Sequence, residues 1–400
     1  MKSGIAESTL LCVTVWCCSG LIVFTGFAFG REFIPVRSHP NRLPEQKGEP
    51  FANWDGYWYT QLVEHGYVWD PTRHSNVAFF PGYISLPVAI RQIMPLSAIP
   101  ILVFSSNLFF LAALWPASRF GIQLSAEQPT PDAAILLAVC LWPMSVFTRV
   151  AYTESLFLLL IVTVLSLLRC RASMLLTALV AGAASGTRSV GAALLLPLLL
   201  DWWNRSKTMT GFATRAILLG PVACWGLLSY MGFLYCKFGD PFLFITAQKH
   251  WAARDELSWP ANLLSLLTLE PIWTVYLPGS PAHWASHEHV PNALFSLQFW
   301  NPIYFVTCAG LVAYGAWKKW LTTQEWLLSV GLLGIPYALQ GYRMMMLGHG
   351  RFTCVVFPMF IVLGRLISQS PVPVQAIIIA IMAMQLFYWA ALFATWHRVF

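Results

Sequence analysis

The sequence predicts an all-α polytopic membrane protein, and three observations carry that prediction. Hydrophobic residues fill 57% of 400 positions and charged residues only 10%, against about half and about a quarter in a soluble domain. Apolar runs long enough to cross a bilayer recur along the chain. The short connections carrying Lys and Arg alternate with connections that lack them. Mean hydropathy is +0.62. A disordered chain and a disulfide scaffold are excluded. The net charge of +7 suits anionic lipid or lipid-linked phosphate. No basic run is dense enough for nucleic acid.

The elements follow in chain order. Residues 9–29 are apolar and follow Lys2. At about 20 residues they read as an uncleaved first helix rather than a signal peptide. Residues 31–79 are polar and Pro-rich, too long for an ordinary connection and so a functional loop. Residues 80–94 are apolar but short and carry Arg91, which suits a helix lying at the interface. Further spans are expected at 98–117, 132–150, 153–168, 213–236, 301–317, 324–340, 353–368 and 373–395. The run 172–203 is interrupted at Gly186-Thr187-Arg188. It reads as two half-length helices that dip in and return, with Arg188 at the break. The total is about 10–11 segments in a single domain, 1–400.

With Lys2 inside, alternation places Arg119, Arg169, Arg171, Arg205, Lys207, Arg215, Lys318, Lys319 and Arg365 inside as well. The long loops 31–97 and 237–300, carrying interfacial helices, then lie on the extracytoplasmic side. Working residues are expected there. No internal repeat is visible, which weighs against an inverted-repeat transporter.

Aromatic and ionisable residues concentrate in those loops. Asp55 stands in Asn53-Trp54-Asp55-Gly56-Tyr57-Trp58-Tyr59. A carboxylate partly desolvated among aromatics is a competent general base, whereas the plain structural reading is a helix cap in an interfacial loop. Glu154 follows Thr153 at the outer junction of two spans, where a helix cap and the helix dipole would also place it. Arg188, Arg343 and Arg351 fall near the outer half of the membrane and suit a phosphate. Anchoring at headgroup level is the other reading, strongest for Arg343. Trp54, Trp58, Tyr83 and Trp251 offer aromatic faces to a sugar, and Gln248 stands three residues before Trp251.

The nine cysteines form no C-x-x-C and read as small apolar residues. His283, His287, Glu288 and His289 have partial metal-ligand spacing but no distinctive third ligand, so they read as a solvated loop and no metal site is assigned. A divalent metal has no sequence support. No G-x-x-x-x-G-K, G-x-G-x-x-G or nucleophile elbow is present, so nucleotide-sugar or ATP use has no support either.

Trp54-Asp55, Glu64-His65-Gly66-Tyr67, Ala78-Phe79-Phe80-Pro81-Gly82-Tyr83 and Tyr152-Thr153-Glu154-Ser155 form an ordered set. It continues with Thr187-Arg188-Ser189-Val190-Gly191, Gly239-Asp240-Pro241 with Gln248 and Trp251, and Gly350-Arg351-Phe352 leading to Phe357-Pro358. Over about residues 10–370 this set resembles the PIG-V family, the GPI mannosyltransferase 2 type of GT-C glycosyltransferase. Phe352 stands where the family usually has Tyr, and Val190 where eukaryotic members have Asn. The chain is also shorter, like a bacterial member. The resemblance implies a GT-C-like bundle that transfers a sugar, typically mannose, from a polyprenyl-phosphate donor on the extracytoplasmic side. It implies Asp55 as base, with no cofactor beyond the lipid-linked sugar phosphate. A glycan or lipid would be the acceptor. The membrane would be a bacterial inner membrane, or the endoplasmic reticulum in a eukaryote. A lipid-linked-sugar flippase or a non-catalytic subunit of a glycosylation complex are the competing expectations.

Overall fold

The computed structural model describes residues 2–43, 46–122, 132–288 and 292–397. Every regular element among them is helical, with no strand. The chain opens with α1 (Lys2–Phe33), and the first long connection holds α2 (Asp55–His65) and α3 (Ser85–Ile93). The bundle continues with α4 (Ala98–Ile122), α5 (Asp132–Leu141), α6 (Glu154–Arg169), α7 (Met174–Ser185) and α8 (Leu195–Ser206). Next come α9 (Met209–Ala223) and α10 (Trp225–Phe238). The second long connection holds α11 (Leu243–Gln248), α12 (Trp259–Leu267), α13 (Glu270–Trp273) and α14 (Trp284–Glu288). The last elements are α15 (Leu297–Trp317), α16 (Thr323–Gln340), α17 (His349–Phe352), α18 (Phe357–Gln369) and α19 (Val372–Ala394).

Three helices are long and apolar enough to cross a membrane: within α1, within α4, and α19. Two bent pairs raise the number to five. One is α9 with α10, bent by 58° at Cys224 just after Pro221, where a proline removes a helix hydrogen bond. The other is the α17 region with α18, bent by 78°. Several expected spans are therefore shaped differently from a single helix. The run 132–150 stops being α-helical at Leu141 and continues as a 3₁₀ segment from Pro143 to Thr148. The run 80–94 is helical only from Ser85, because Pro81-Gly82 makes a turn first. The break at Gly186–Arg188 is present, between α7 and the 3₁₀ segment Ser189–Leu194.

The two ends of the bundle differ in chemistry. At one end Arg169 of α6 pairs with Glu325 at the start of α16, at 2.6 Å. There Thr322 and Glu325 form a reciprocal cap. Arg205 of α8 reaches the Ala172 carbonyl before α7, and Arg215 of α9 reaches Ser206. Arg365 of α18 stacks on Trp320 between α15 and α16. The basic connections named from the sequence thus gather at one end. Both long connections lie at the other end, the first against α4 and the residues before α6 and the second against α15.

Between the ends the helices meet through small residues. Gly26 and Gly30 of α1 lie against α19. A Cβ on Gly26 would stand 2.6 Å from the Phe387 carbonyl oxygen, and one on Gly30 would run into the Ala391 backbone. This spacing of small residues lets two helices approach closely where lipid supplies no hydrophobic drive. The outward faces are apolar: Phe104, Leu176, Ile217, Ile377 and Met384 are exposed.

Gly30→Leu is expected to lower the thermal midpoint of the detergent-solubilised protein, with overpacking costing about 1–3 kcal/mol. Gly220→Leu, where an added Cβ meets nothing within 4 Å, leaves the midpoint unchanged. Equal midpoints for the two variants would refute the close α1–α19 contact.

Candidate functional site

The loops and helix ends on the non-basic side enclose a cavity of about 900 Å³. Four ionised side chains from four chain segments meet in its wall. Asp55 is the first residue of α2, Glu154 the first of α6, Arg188 stands in the break after α7, and Arg351 lies in α17. Arg351 Nη1 is 2.6 Å from Asp55 Oδ2, and its Nε is 3.2 Å from Glu154 Oε1. That second contact is an ion pair without hydrogen-bond alignment, since Nε has no hydrogen-bond partner. Arg188 Nη1 donates to the same Glu154 Oε1 and, at 3.2 Å, to Thr153 Oγ1. The two carboxylates and two guanidiniums sum to zero charge.

Burial divides the roles. The Glu154 side chain is 1% exposed and both its neighbours are cations, so it organises the cluster from below. The Asp55 side chain is 27% exposed. Its Oδ1 has no hydrogen-bond or ion-pair partner among the described residues, and Asp55 lines the cavity. Two helix N-termini further favour the two carboxylates. Thr153 does not cap α6 with its hydroxyl, as the sequence reading had it. Its hydroxyl turns to Glu154 and Arg188 instead, because two buried charges need every donor and acceptor available.

The position of Asp55 is set by its neighbours. Trp54 has φ 57 and ψ −117, a region that costs a non-glycine residue of order 1–3 kcal/mol. Its own contacts and those of its neighbours hold it there. Trp54 Nε1 donates to the His397 carbonyl at 3.1 Å, and its ring meets His39 edge-on and Trp396 at 5.4 Å. Next to it, the buried Asn53 amide donates to the Phe393 carbonyl at 2.7 Å. The Tyr152 hydroxyl donates to the Asn53 carbonyl and accepts the Asp55 N–H. The segment after α19 therefore latches the start of α2. Glu49 closes the latch from behind, accepting from Arg31, Arg42 and Trp396.

Arg188 is placed by the first loop. The Gly82 N–H donates to the Gly186 carbonyl at 2.8 Å, and a Cβ on Gly82 would stand 2.6 Å from Thr187 Oγ1. Only glycine lets the turn at 81–82 seat this close to the break.

Aromatic side chains form the opposite wall. Trp58 stacks near Phe79 and meets Trp251 edge-on at 5.9 Å, and His74 meets Trp251 at 4.7 Å. Gln248 lines the cavity beside Trp251 and accepts from Gln340 at 3.4 Å. A third wall is apolar, from Val190, Leu332, Ile335, Leu339 and Leu347.

Of the residues named from the sequence, Asp55, Glu154, Arg188, Arg351, Trp54, Trp58, Gln248 and Trp251 come together here. Tyr83 does not. It is fully buried behind α2, and its hydroxyl donates to the Leu102 carbonyl at 2.9 Å and lies 2.7 Å from Ser106 Oγ. A buried phenol needs such partners, so its ring serves packing and offers no face to a ligand. Arg343 does not join either. Its carbonyl accepts from the Ala253 and Arg254 N–H groups, and its side chain lines a separate open pocket with Lys249, Asp255, Glu256 and Glu270. The reason is local: Met345 and Met346 both have positive φ, and the chain turns there before α17.

The sequence reading missed His39, Tyr59, Arg73 and His74, all cavity-lining. Tyr59 had a signal, since it stands four residues after Asp55 on one helix face. Burial, then Asp55 and Glu154, hold its phenol well above the usual range, so it stays a neutral donor. The other three sit in loops without periodicity. Among the described residues no group of three His, Cys, Asp or Glu is placed to hold a metal. The side chains of His287 and Glu288, and all of His289, lie outside the described residues.

The latch carries its own pH dependence. Burial, and then Arg37, push His397 down from an ordinary 6.5 to about 4. The unfolded chain takes up that proton near pH 6.5 while the folded one resists it until about 4, so stability present above pH 6.5 is lost as pH falls toward 4. Denaturation midpoints measured across this window should fall less steeply in His397→Gln than in the unsubstituted protein. Parallel curves would remove His397 from that role.

Comparison with family models, curated proteins and solved structures finds no match to this chain.

Proposed function

We propose that the protein is an inverting glycosyltransferase of the membrane. In this reading it moves a sugar, mannose by the resemblance of its ordered motifs, from a polyprenyl-phosphate donor to a glycan or lipid acceptor. One observation carries the reading. Asp55 lines a tryptophan-walled cavity, with one carboxylate oxygen fixed by Arg351 and the other without a partner among the described residues. That is the arrangement a positioned general base requires.

In the reaction, an acceptor hydroxyl oxygen attacks the anomeric carbon of the donor. The new carbon–oxygen bond forms as the bond from that carbon to the phosphate oxygen breaks. The bonding pair leaves with the lipid phosphate, and the hydroxyl proton goes to Asp55 Oδ1. Arg351 keeps the aspartate oriented, Glu154 and Arg188 keep Arg351 in place, and Tyr59 donates a hydrogen bond to a substrate oxygen. Trp58 and Trp251 pack on the sugar, and Gln248 bonds a sugar hydroxyl. The apolar wall ending at exposed Leu339 suits the polyprenyl chain entering from the lipid.

The same reading has the remaining helices cross the bilayer too, in a GT-C-like bundle of about 10–11 segments. The basic end is then cytoplasmic and the cavity extracytoplasmic. The apolar faces of α3 and α12, with Ile93, Trp259, Leu264 and Leu267 exposed, then lie along the membrane surface. A bacterial inner membrane fits the proposed donor. A flippase would want polar groups near the middle of several helices, whereas the ionised cluster sits at one end of the bundle.

Purified protein with radiolabelled polyprenyl-phosphate mannose and a panel of glycan and lipid acceptors tests this. Transfer is expected, with Asp55→Asn slowing it by about 10²-fold or more while donor binding persists. Full transfer by Asp55→Asn would take the base role from Asp55. Donor binding without transfer to any acceptor would favour movement of the lipid over chemistry.

A further inference from the structure

We propose that the phosphate of the lipid-linked substrate is held by Arg73 at the cavity mouth, and not by Arg188 or Arg351. The inference rests on the glycosyltransferase reading and starts from charge. The acidic and basic side chains lining the cavity, histidines aside, are Asp55, Glu154, Arg73, Arg188 and Arg351 among the described residues. Arg188 already bonds Glu154 and Thr153 through Nη1, and Arg351 pairs with Asp55 and Glu154. A phosphate that drew either arginine away from its carboxylate would weaken the pairing in a site where Glu154 is 1% exposed. Leaving a buried charge without its partner is strongly unfavourable. The leaving phosphate brings additional negative charge to a group that already sums to zero.

Arg73 stands outside the cluster. It is exposed and makes no ion pair among the described residues, and the acid whose charge it meets is Asp70. The nearby acid, Asp70, spends Oδ1 on the Thr72 N–H at 2.8 Å and the Thr72 hydroxyl at 2.7 Å. The loop that carries Arg73 is held in shape. Asn76 accepts the Val68 N–H and donates to the Gly66 carbonyl, both at 2.9 Å, and Ser75 donates to the Val68 carbonyl. The next residue, His74, rests edge-on against Trp251, so the loop borders the aromatic wall proposed for the sugar.

Stereochemistry bears on Arg351 in particular. An inverting displacement puts the attacking oxygen and the leaving phosphate on opposite faces of the anomeric carbon. The base stands with the attacking oxygen. Arg351, at 2.6 Å from Asp55, is on the attacking side. The cation for the phosphate belongs across the sugar from the base, and Arg73 is the cavity-lining cation that is not bound to the carboxylate cluster.

The test is equilibrium binding of undecaprenyl phosphate and of undecaprenol to the full chain in detergent. The variants are Arg73→Gln, Arg73→Lys and Lys319→Gln, the last an equal loss of charge beyond the far end of α15. The unsubstituted protein should prefer the phosphate. Arg73→Gln should lose roughly tenfold or more of that affinity and keep its affinity for undecaprenol. Arg73→Lys should retain most of the preference, and Lys319→Gln all of it. A phosphate preference that survives intact in Arg73→Gln overturns the assignment and leaves the glycosyltransferase reading standing. No preference for the phosphate in the unsubstituted protein overturns both.

Discussion

Glu154 is the charge around which the rest is arranged. It is 1% exposed, and its Oε1 faces Arg188 on one side and Arg351 on the other. Taking carboxylates and guanidiniums out of water costs several kcal/mol per ion, so they are tolerated only as a closed set. Closing the set requires α2, α6, the break after α7 and α17 to arrive at one place. Their long separations in sequence, such as the 296 residues between Asp55 and Arg351, make this a constraint on the whole bundle. Removing one member would strand its partners in the cavity wall.

The set is closed from outside by backbone positions that are themselves held. Trp54 keeps an unfavourable φ because its indole, the Asn53 amide and the Tyr152 hydroxyl are all bonded to fixed carbonyls. Two of those carbonyls, of Phe393 and His397, belong to the end of α19 and the residues after it. α19 in turn is seated on α1 through Gly26 and Gly30. A small-residue contact inside the bundle and the aim of a carboxylate at its end are thus parts of one chain of contacts. Strain at Trp54 persists because its surroundings over-determine it.

Polarity along the bundle axis separates two tasks. The basic end ties neighbouring helices together through pairs such as Arg169 with Glu325 and Arg205 with Asp201. The other end leaves room, bringing the longest connections together around about 900 Å³. Within that space the aromatic wall, the apolar wall and the ionised cluster are distinct surfaces.

The sequence by itself determined the helical class, the apolar surfaces, the break at Arg188 and the clustering of basic residues, and eight of the ten residues it singled out line one cavity. Composition, run length and charge placement are local properties, and those features follow from local physics. Tyr83 and Arg343 stand apart from that cavity, because an aromatic or a guanidinium near a loop reads the same in sequence whether it faces a cavity or fills a wall. Only the tertiary structure decided that the Tyr83 hydroxyl is spent on Leu102 and Ser106 and that Arg343 lines another pocket. It alone decided that Asp55, Glu154, Arg188 and Arg351 neutralise one another. Charge pairing depends on distances of a few ångströms between residues tens to hundreds of positions apart, and no pattern along the chain records those distances.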